Sequence, residues 1–423
     1  MKFSAFRKVI PPKSYPVIVL ILPIIIMFIF WRIMPASLQN NDKTDYARFY
    51  FPVAQNILHG NGITFEGKPA LDYPPGYPII LAATFFLAKP LHANDSILTL
   101  ICLSLCAFLV YVMAKKLWGP TGAFLVSIAW SCYPFVYYTC VKQNSEISFM
   151  VLFYAGLLCF LNGWRYGRRK KTWFFIAGAL CGLAMLIRPI GIGVGIVIMG
   201  LMLFGKSYSP RNRIVFIACI LLGNIAAVLP WEAWVFHKTG TVVVLCKGRD
   251  AFSMYDGLTF AFPEPGVVGG RKGIKVPPDV EQLMVHVRSM YSDSTTAKQL
   301  RDFMIAQFKR QPASVMKLIL IKAARSWYGT NANRFEKVIL VYHLVFMALI
   351  IIAGAIFWRR KPLERFTIIA ATGLLLYFWG MAILVLSIAR YLAPMLPLLL
   401  IFLPAIFMDS FGLFRKTSTK HIA

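Results

Sequence analysis

Acidic side chains are scarce in this sequence: 17 Asp and Glu stand against 45 Lys and Arg in 423 residues, a formal charge of +28. An excess that large raises a nucleic-acid partner, yet the basic residues come in short clusters between apolar runs rather than on one polar surface. That distribution supports membrane orientation, and no nucleic acid is expected as a partner. His-Glu-x-x-His and Gly-x-Ser-x-Gly are both missing, so zincin and α/β-hydrolase chemistry have no footing. Cysteine amounts to eight residues, and Cys102, Cys106, Cys132, Cys159, Cys181 and Cys219 fall inside apolar runs, where a thiol behaves as a small hydrophobe. Only Cys140 and Cys246 can reach the far side, which leaves at most one disulfide. No cysteine spacing resembles a zinc site.

What abounds is apolar sequence, with 58% hydrophobic residues and a mean hydropathy of +0.65. About 20 apolar residues span the hydrocarbon core. Runs of that order lie at 17–34, 96–114, 119–139, 146–163, 172–187, 190–205, 214–231, 337–358, 366–388 and 392–408. The expected fold is therefore all-α, a polytopic integral-membrane helical bundle of about ten transmembrane helices. The run from Val17 to Met34 is long enough to cross and no small-residue cleavage site follows it, so a retained first span is expected. Between spans recur Lys115-Lys116, Arg165 with Arg168-Arg169-Lys170-Lys171, Arg211 with Arg213, Arg359-Arg360-Lys361 and Arg415-Lys416. Lys2, Arg7, Lys8 and Lys13 precede the first span, and Glu364 is almost the only acid among these segments. The positive-inside bias places them, with both termini, in the cytoplasm. Short loops without retention signals point to a bacterial plasma membrane.

Two long segments are then exoplasmic. In the first, residues 35–95, Tyr77–Ala88 is apolar but too short to cross, the length of a re-entrant or interfacial helix. Ahead of it, apolar residues at 46, 49, 50, 53, 54, 57 and 58 predict an interfacial amphipathic helix, bent at Pro52 and ended by Gly60. Asp45 precedes its first turn, where a carboxylate caps a helix and meets its dipole. In the second segment, residues 232–336, Cys246–Asp279 reads as a mobile Gly/Pro-rich loop and Val280–Lys309 as helical. Val315–Trp327 reads as an amphipathic helix whose end, with Arg325, Trp327 and Tyr328, lies at the membrane interface. Three parts result: a membrane module over 1–231, an exoplasmic loop or small subdomain over 232–336, and C-terminal spans over 337–423.

Ionisable residues at membrane depth are costly, and Asp45, Glu146, Arg188, Glu232 and Arg390 all sit at ends of apolar runs on one side. The segments that carry them come in a set order. Thr44-Asp45-Tyr46 opens the first exoplasmic segment, with Gly60-Asn61-Gly62 behind the amphipathic helix. Leu71-Asp72-Tyr73-Pro74-Pro75-Gly76-Tyr77-Pro78 leads into the short apolar helix. Gln143-Asn144-Ser145-Glu146, Ile187-Arg188-Pro189-Ile190-Gly191, Pro230-Trp231 with Lys238-Thr239-Gly240, and Ala389-Arg390-Tyr391-Leu392-Ala393-Pro394 follow. This ordered set resembles the GT-C superfamily of membrane glycosyltransferases that use polyprenyl-phosphate sugars. The branch includes the dolichyl-phosphate-mannose protein mannosyltransferases and the aminoarabinose transferase of lipid A. Aminoarabinose-type enzymes often carry Asp-Glu where this chain has Asp45-Tyr46, so that branch's sugar is not carried over.

The resemblance implies that 1–231 is a GT-C-like catalytic module and that Asp45 is the catalytic carboxylate, accepting the proton of an attacking acceptor hydroxyl. The competing reading of Asp45 is a helix N-cap. Arg390, and with less weight Arg188, are candidates to hold the donor phosphate, since guanidinium forks match phosphate oxygens; snorkelling bases at the interface are the alternative. Tyr391 is a candidate to stack on sugar or isoprenoid, or an aromatic-belt residue. Related oligosaccharide-transferring enzymes carry an acidic metal ligand where this chain has Glu146. One carboxylate makes a poor hard-metal cage, so Glu146 is a substrate-binding or helix-capping residue, and a divalent metal stays open as a cofactor. Asp72, Tyr73 and Glu232 complete the candidate substrate-binding residues, against turn and cap readings. The expected activity is inverting transfer of a monosaccharide from a polyprenyl-phosphate donor to an envelope lipid, glycan or protein on the exoplasmic face. The inside loops are too short for a nucleotide-sugar site. The rivals are a flippase or transporter of a lipid-linked sugar, which would keep charges near the bilayer midplane, and a polysaccharide ligase.

Overall fold

The computed structural model describes residues 11–39, 42, 44–88, 96–165, 169–204, 208–247, 249–264, 270–292 and 294–411. Lys2, Arg7, Lys8, Arg168, Arg415 and Lys416 lie outside the described residues. In chain order the α-helices of more than four residues are α1 (Tyr15–Ile33), α2 (Phe51–Leu58), α3 (Gly76–Ala88), α4 (Ser96–Ser131), α5 (Pro134–Cys140), α6 (Glu146–Arg165), α7 (Lys170–Ile187) and α8 (Val194–Phe204). They continue with α9 (Pro210–Thr239), α10 (Arg249–Leu258), α11 (Pro278–Met290), α12 (Ala297–Arg310), α13 (Pro312–Arg325), α14 (Glu336–Arg360), α15 (Arg365–Leu384) and α16 (Pro404–Phe411). The strands among the described residues are β1 (Thr64–Phe65) and β2 (Lys68–Pro69), a small antiparallel hairpin.

Seven stretches among the described residues are long and apolar enough to cross a membrane: Pro12–Ile33, Ser96–Ser131, Glu146–Arg165, Lys170–Ile187, Pro210–Thr239, Glu336–Arg360 and Pro362–Leu384. The all-α, polytopic membrane fold expected from the sequence is present. Ile21, Ile25 and Ile29 on α1, Leu222 and Leu229 on α9, and Val338, Val341 and Val345 on α14 point outward, an apolar belt that matches lipid.

Proline and glycine explain where the expected spans and the observed helices part. Gly119 adopts φ +71° and breaks α4 just ahead of Pro120, so α4 is two helices meeting at a kink. The 119–139 run is interrupted before Pro134, where α5 begins. The 392–408 run is no single α-helix. Pro394, Pro397 and Pro404 lack the N–H that an i→i−4 ladder needs, and the chain winds through a 3₁₀ turn, Pro397–Phe402, before α16. This segment is nonetheless core, with Leu392, Ala393, Met395 and Leu396 buried. The 190–205 run likewise opens in a 3₁₀ turn, Pro189–Gly191, ahead of the 11 residues of α8. Gly200 through Ser207 spells Gly-x-x-x-x-Gly-Lys-Ser, but its first half is the apolar end of α8 and not a strand leading into a phosphate loop. In the other direction, α9 runs past Pro230-Trp231 to Thr239 and stops at Gly240, at φ +66°.

The second long segment is more ordered than its composition implied. Cys246–Asp279 contains α10, and Val280–Lys309 is two helices, α12 starting from a Thr296–Gln299 capping box. Phe260, Leu283, Met284, Val287, Leu300 and Leu318 from these elements form a second core apart from the membrane bundle. It is fastened to α14 by Arg325, which is buried, pairs with Glu336 at 2.6 Å and lies over the Phe260 ring.

Within the bundle, α7 packs most extensively, against α6 on one side and α9 on the other. Glycines make the second contact: Gly178 and Gly182 of α7 and Gly223 of α9 face the partner backbone with no room for a Cβ. A methyl at Gly178 would land on the Ile220 carbonyl. Overpacking a tight core costs about 1–3 kcal/mol, so Gly178→Ala should lower the melting temperature of the detergent-purified protein. Gly200→Ala, where nothing lies within 4 Å of the added carbon, should leave it unchanged.

Candidate active site

Pro189 starts the site's construction. The residue before proline avoids the helical region, so α7 ends at Ile187 and Arg188 is extended, at φ −144° and ψ 126°. Its guanidinium turns to the first residue of α6. Because only four residues separate α6 from α7 and the two pack antiparallel, the start of one and the end of the other share one end of the bundle. Arg188 Nη1 lies 2.7 Å from Glu146 Oε1 and donates to Ser145 Oγ at 3.0 Å. Arg390, on the 3₁₀ turn Ala389–Tyr391 that follows α15, donates to the same Glu146 oxygen. Glu146 is 2% exposed, and its second oxygen, Oε2, is buried with no hydrogen-bond partner. Burial pulls the Arg390 guanidinium toward its neutral form, but the Glu146 and Asp45 carboxylates outweigh it and the net direction is up. Arg390 therefore stays charged, with Asp45 within electrostatic reach.

Asp45 does not cap its helix. It has entered helical backbone itself, with no side-chain cap bond. The turn after it, Tyr46–Tyr50, is a π-helix ahead of Pro52. Proline at 52 cannot donate to the Arg48 carbonyl and its ring crowds that group, so the preceding turn widens. The freed carboxylate reaches Arg249, the first residue of α10, with Arg249 Nη2 at 2.8 Å from Asp45 Oδ1. Arg249 Nε donates to the Tyr73 hydroxyl at 2.7 Å. Burial opposes the charge on Arg249, and Tyr73 and Asp45 more than restore it. The Asp45 carboxylate remains 40% exposed.

Aromatic packing holds the two halves together. Tyr50 meets Tyr73 at 5.0 Å and Tyr77 at 4.9 Å between centroids, and Phe49 meets Tyr73 at 5.0 Å. Burial raises the Tyr50 and Tyr73 phenols well above their ordinary value, so both remain protonated donors. Tyr50 is hydrogen-bonded to Ser145, the hydroxyl that Arg188 also uses, which links the Asp45 helix to the Glu146 end of α6. Gly76 sits on the end of α7, where a Cβ would come 2.6 Å from the Leu186 carbonyl oxygen.

The structure thus brings Asp45, Tyr73, Glu146, Arg188, Arg390 and Tyr391 into one cluster; Tyr391 feels both arginines and both carboxylates. Asp72 lies at its edge, its carboxyl raised chiefly by burial, with Arg249 opposing and Glu66 adding. Glu232 does not join. Its Oε1 accepts the Leu245 N–H at 2.8 Å and fastens the loop after α9. Sequence reasoning missed Arg249, Tyr50 and Ser145 as working side chains; Arg249 is one of five basic residues in the Gly/Pro-rich stretch Cys246–Asp279 and nothing singled it out. Cys140 and Cys246 are both free thiols. A divalent ion at Glu146 does not fit, because two guanidinium groups already converge on one oxygen of that carboxylate, and no other group of three His, Cys, Asp or Glu among the described residues is arranged to hold one.

Comparison with known proteins bears on the family and the fold. Residues 72–234, which carry Tyr73, Glu146 and Arg188, match the family model of dolichyl-phosphate-mannose-protein mannosyltransferase. Among solved structures, the oligosaccharyltransferase of Archaeoglobus fulgidus in its apo form shares the fold, with a TM-score of 0.54 and 13% identity over 95% of this chain and 51% of that one. The chain spans about half the length of that enzyme. ArnT from Cupriavidus metallidurans, solved bound to undecaprenyl phosphate, aligns with a TM-score of 0.41 and 14% identity over 92% of this chain and 79% of that chain. No curated protein sequence matches. The resemblance to GT-C membrane glycosyltransferases read from the ordered motifs is borne out.

Removing the Glu146 charge leaves Arg188 and Arg390 facing each other without their shared anion. Breaking a buried pair in this way costs about 3–5 kcal/mol. Glu146→Gln should lower the melting temperature clearly, and millimolar inorganic phosphate should restore part of the loss in this variant while leaving wild type nearly unmoved.

Proposed function

We propose that this protein is an integral-membrane glycosyltransferase that moves a monosaccharide from a polyprenyl-phosphate donor to an acceptor hydroxyl at the exoplasmic surface, with both termini in the cytoplasm. The observation that carries the reading is the pairing of an exposed carboxylate, Asp45, with two guanidinium groups gathered on one buried carboxylate within its electrostatic reach. The match of 72–234 to a mannosyltransferase family model supports the same class.

In this mechanism the donor's phosphate is held by Arg390 and Arg188, whose charges remain partly unanswered because Glu146 supplies one anion for two cations. The acceptor hydroxyl approaches Asp45 and gives up its proton to the carboxylate as its oxygen bonds to the anomeric carbon. The bond from that carbon to the phosphate oxygen breaks, and the polyprenyl phosphate leaves with the electron pair, its new charge stabilised by the arginines. A single displacement inverts the anomeric centre. Glu146, locked between guanidinium groups, is no second nucleophile. Arg249 and Tyr73 orient Asp45. The 232–336 segment, which delivers Arg249, forms the acceptor side. Transport is the weaker reading, because the charges gather at helix ends rather than on broken helices at the bilayer midplane.

The test is turnover of labelled polyprenyl-phosphate sugar by the purified protein, read as released polyprenyl phosphate. Wild type should release it in the presence of acceptor. Removing a general base typically costs about 10²–10⁴ in rate, so Asp45→Asn should lose activity on that scale while still binding donor. Arg390→Ala should instead raise the donor KM. Sugar moved across a sealed bilayer with no polyprenyl phosphate released would overturn the assignment in favour of a carrier.

A further inference from the structure

Helix α13 is apolar on two faces. Val315 and Leu318 point into the second core, as an amphipathic helix requires. Its other side should then be polar, yet Met316, Ile319 and Leu320 are exposed there, Leu320 at 62%. Met316, Leu320 and Ala324, all exposed, recur every four residues and form one stripe. On the preceding helix α12, Ile305 and Phe308 are exposed as well. Large apolar side chains gathered outward in this way mark a surface that something covers.

The depth of α13 says what the cover is. Trp379 of α15 donates its indole N–H to the Ala323 carbonyl at 2.9 Å, and its ring meets Trp327 edge-on at 5.8 Å. Trp379 stands five residues before Leu384, the last residue of α15 (384 − 379), about 7–8 Å down the helix axis. Leu376 and Leu384, on either side of it, are exposed at 54% and 68% and belong to the lipid-facing belt. The last turn of α13 therefore lies against the wall of a span, short of that span's end. Even if α13 stood upright, Leu320 and Met316 would rise only about 5 and 10 Å above Ala323. Arg325 is not what meets the headgroups, because it is turned inward against Glu336.

Charge gives a second, independent argument. Residues 297–325, which make up α12 and α13, carry seven Lys and Arg and a single acid, Asp302. Lys322 and Arg325 are buried, Arg301 pairs with Asp302, and Lys317 pairs with Asp279. Lys298, Lys309 and Arg310 remain, exposed and without an ion pair among the described residues. A basic helix pair with an outward apolar stripe has the composition of an element that lies in the membrane interface. A second copy of this chain is a poor occupant, since it would bring the same basic surface and repel.

We propose that the outward face of α13 lies in the lipid leaflet at the Glu146 end of the bundle, with Met316 and Leu320 among the acyl chains, and that Lys309 and Arg310 at the end of α12 bind the phosphates of anionic lipid headgroups. The surface is separate from the Asp45 cluster, and the inference holds whichever reaction that cluster performs.

The experiment places a benzophenone side chain at Met316 or Leu320 of the full-length protein, in nanodiscs of equal parts phosphatidylglycerol and phosphatidylcholine. Irradiation then captures whatever touches that position, and mass spectrometry names it. Leu222, on the outward side of α9, sets the yield for a residue among acyl chains. Met316 and Leu320 should capture lipid in similar yield, with phosphatidylglycerol ahead of phosphatidylcholine. A basic residue near an anionic surface contributes about 1 kcal/mol, or about fivefold in affinity. Lys309→Gln and Arg310→Gln, read at the Leu320 position, should each cut the phosphatidylglycerol preference by up to about fivefold, and the double variant by more. Gel filtration confirms that each variant is folded. A crosslinked dimer in place of a lipid adduct, or no adduct at either position, overturns the proposal. So does equal capture of the two lipids, or a phosphatidylglycerol preference that the double variant leaves unchanged. No readout involves transfer activity, so the result is separable from that of the Asp45 assay.

Discussion

One carboxylate organises the functional end of this molecule. Glu146 begins α6, where a helix dipole favours negative charge, and its Oε1 receives a guanidinium from Arg188 and another from Arg390. The three residues come from parts of the chain 42 and 202 positions apart (188 − 146 and 390 − 188). Desolvating three charges is expensive unless they compensate each other. The packing of α6 against α7, and of the Arg390 turn against both, is therefore specified electrostatically as well as by shape. The arrangement is also one negative charge short. Two partly accessible cations share one buried anion, and that anion's second oxygen is left without a partner.

Most of the membrane fold was legible because hydrocarbon imposes a length and a composition on anything that crosses it. The spans at 17–34, 146–163, 172–187, 214–231, 337–358 and 366–388 correspond to long helices. The reading failed where several prolines crowd one apolar run; the single Pro23 of α1 is accommodated. Hydropathy counts the buried leucines from 392 to 403 as a span, whereas the backbone, deprived of three N–H groups, takes 3₁₀ and turn geometry. Such a segment can exist at depth only when protein surrounds it, and Leu392–Phe402 is buried nearly throughout.

The candidate site divides in the same way. Asp45, Glu146, Arg188 and Arg390 stood out because an ionisable residue beside an apolar run is costly and needs a reason. Their partners were silent. Tyr50 and Ser145 are ordinary residues whose importance lies in what they touch, and Arg249 lay in a stretch whose Gly and Pro content masked the ten residues of α10. The Asp45 cap is instructive. Position alone favoured it, but Pro52 widens the turn and α10 brings a guanidinium, and an ion pair outcompetes a backbone N–H for a carboxylate.

Helix α10 joins the two halves of this chemistry physically. Its first residue, Arg249, grips Asp45. Its ninth, Gly257, lies so close to the Val385 carbonyl that no Cβ fits between them. Lys322 Nζ donates to that same carbonyl, and the Gly329 carbonyl receives the N–H of Ala389, the residue before Arg390. The second core therefore holds the Arg390 segment at three points and Asp45 at a fourth. Eight residues of helix rise about 12 Å, so the two grips on α10 are set apart by a length comparable to a hexose with its phosphate. A rod of that size, anchored in its own core of Leu258, Phe260 and Leu283, ties the Asp45 carboxylate to the segment that carries Arg390. Asp45 and Arg390 lie within electrostatic reach of each other on segments far apart in sequence, and the 232–336 segment holds both.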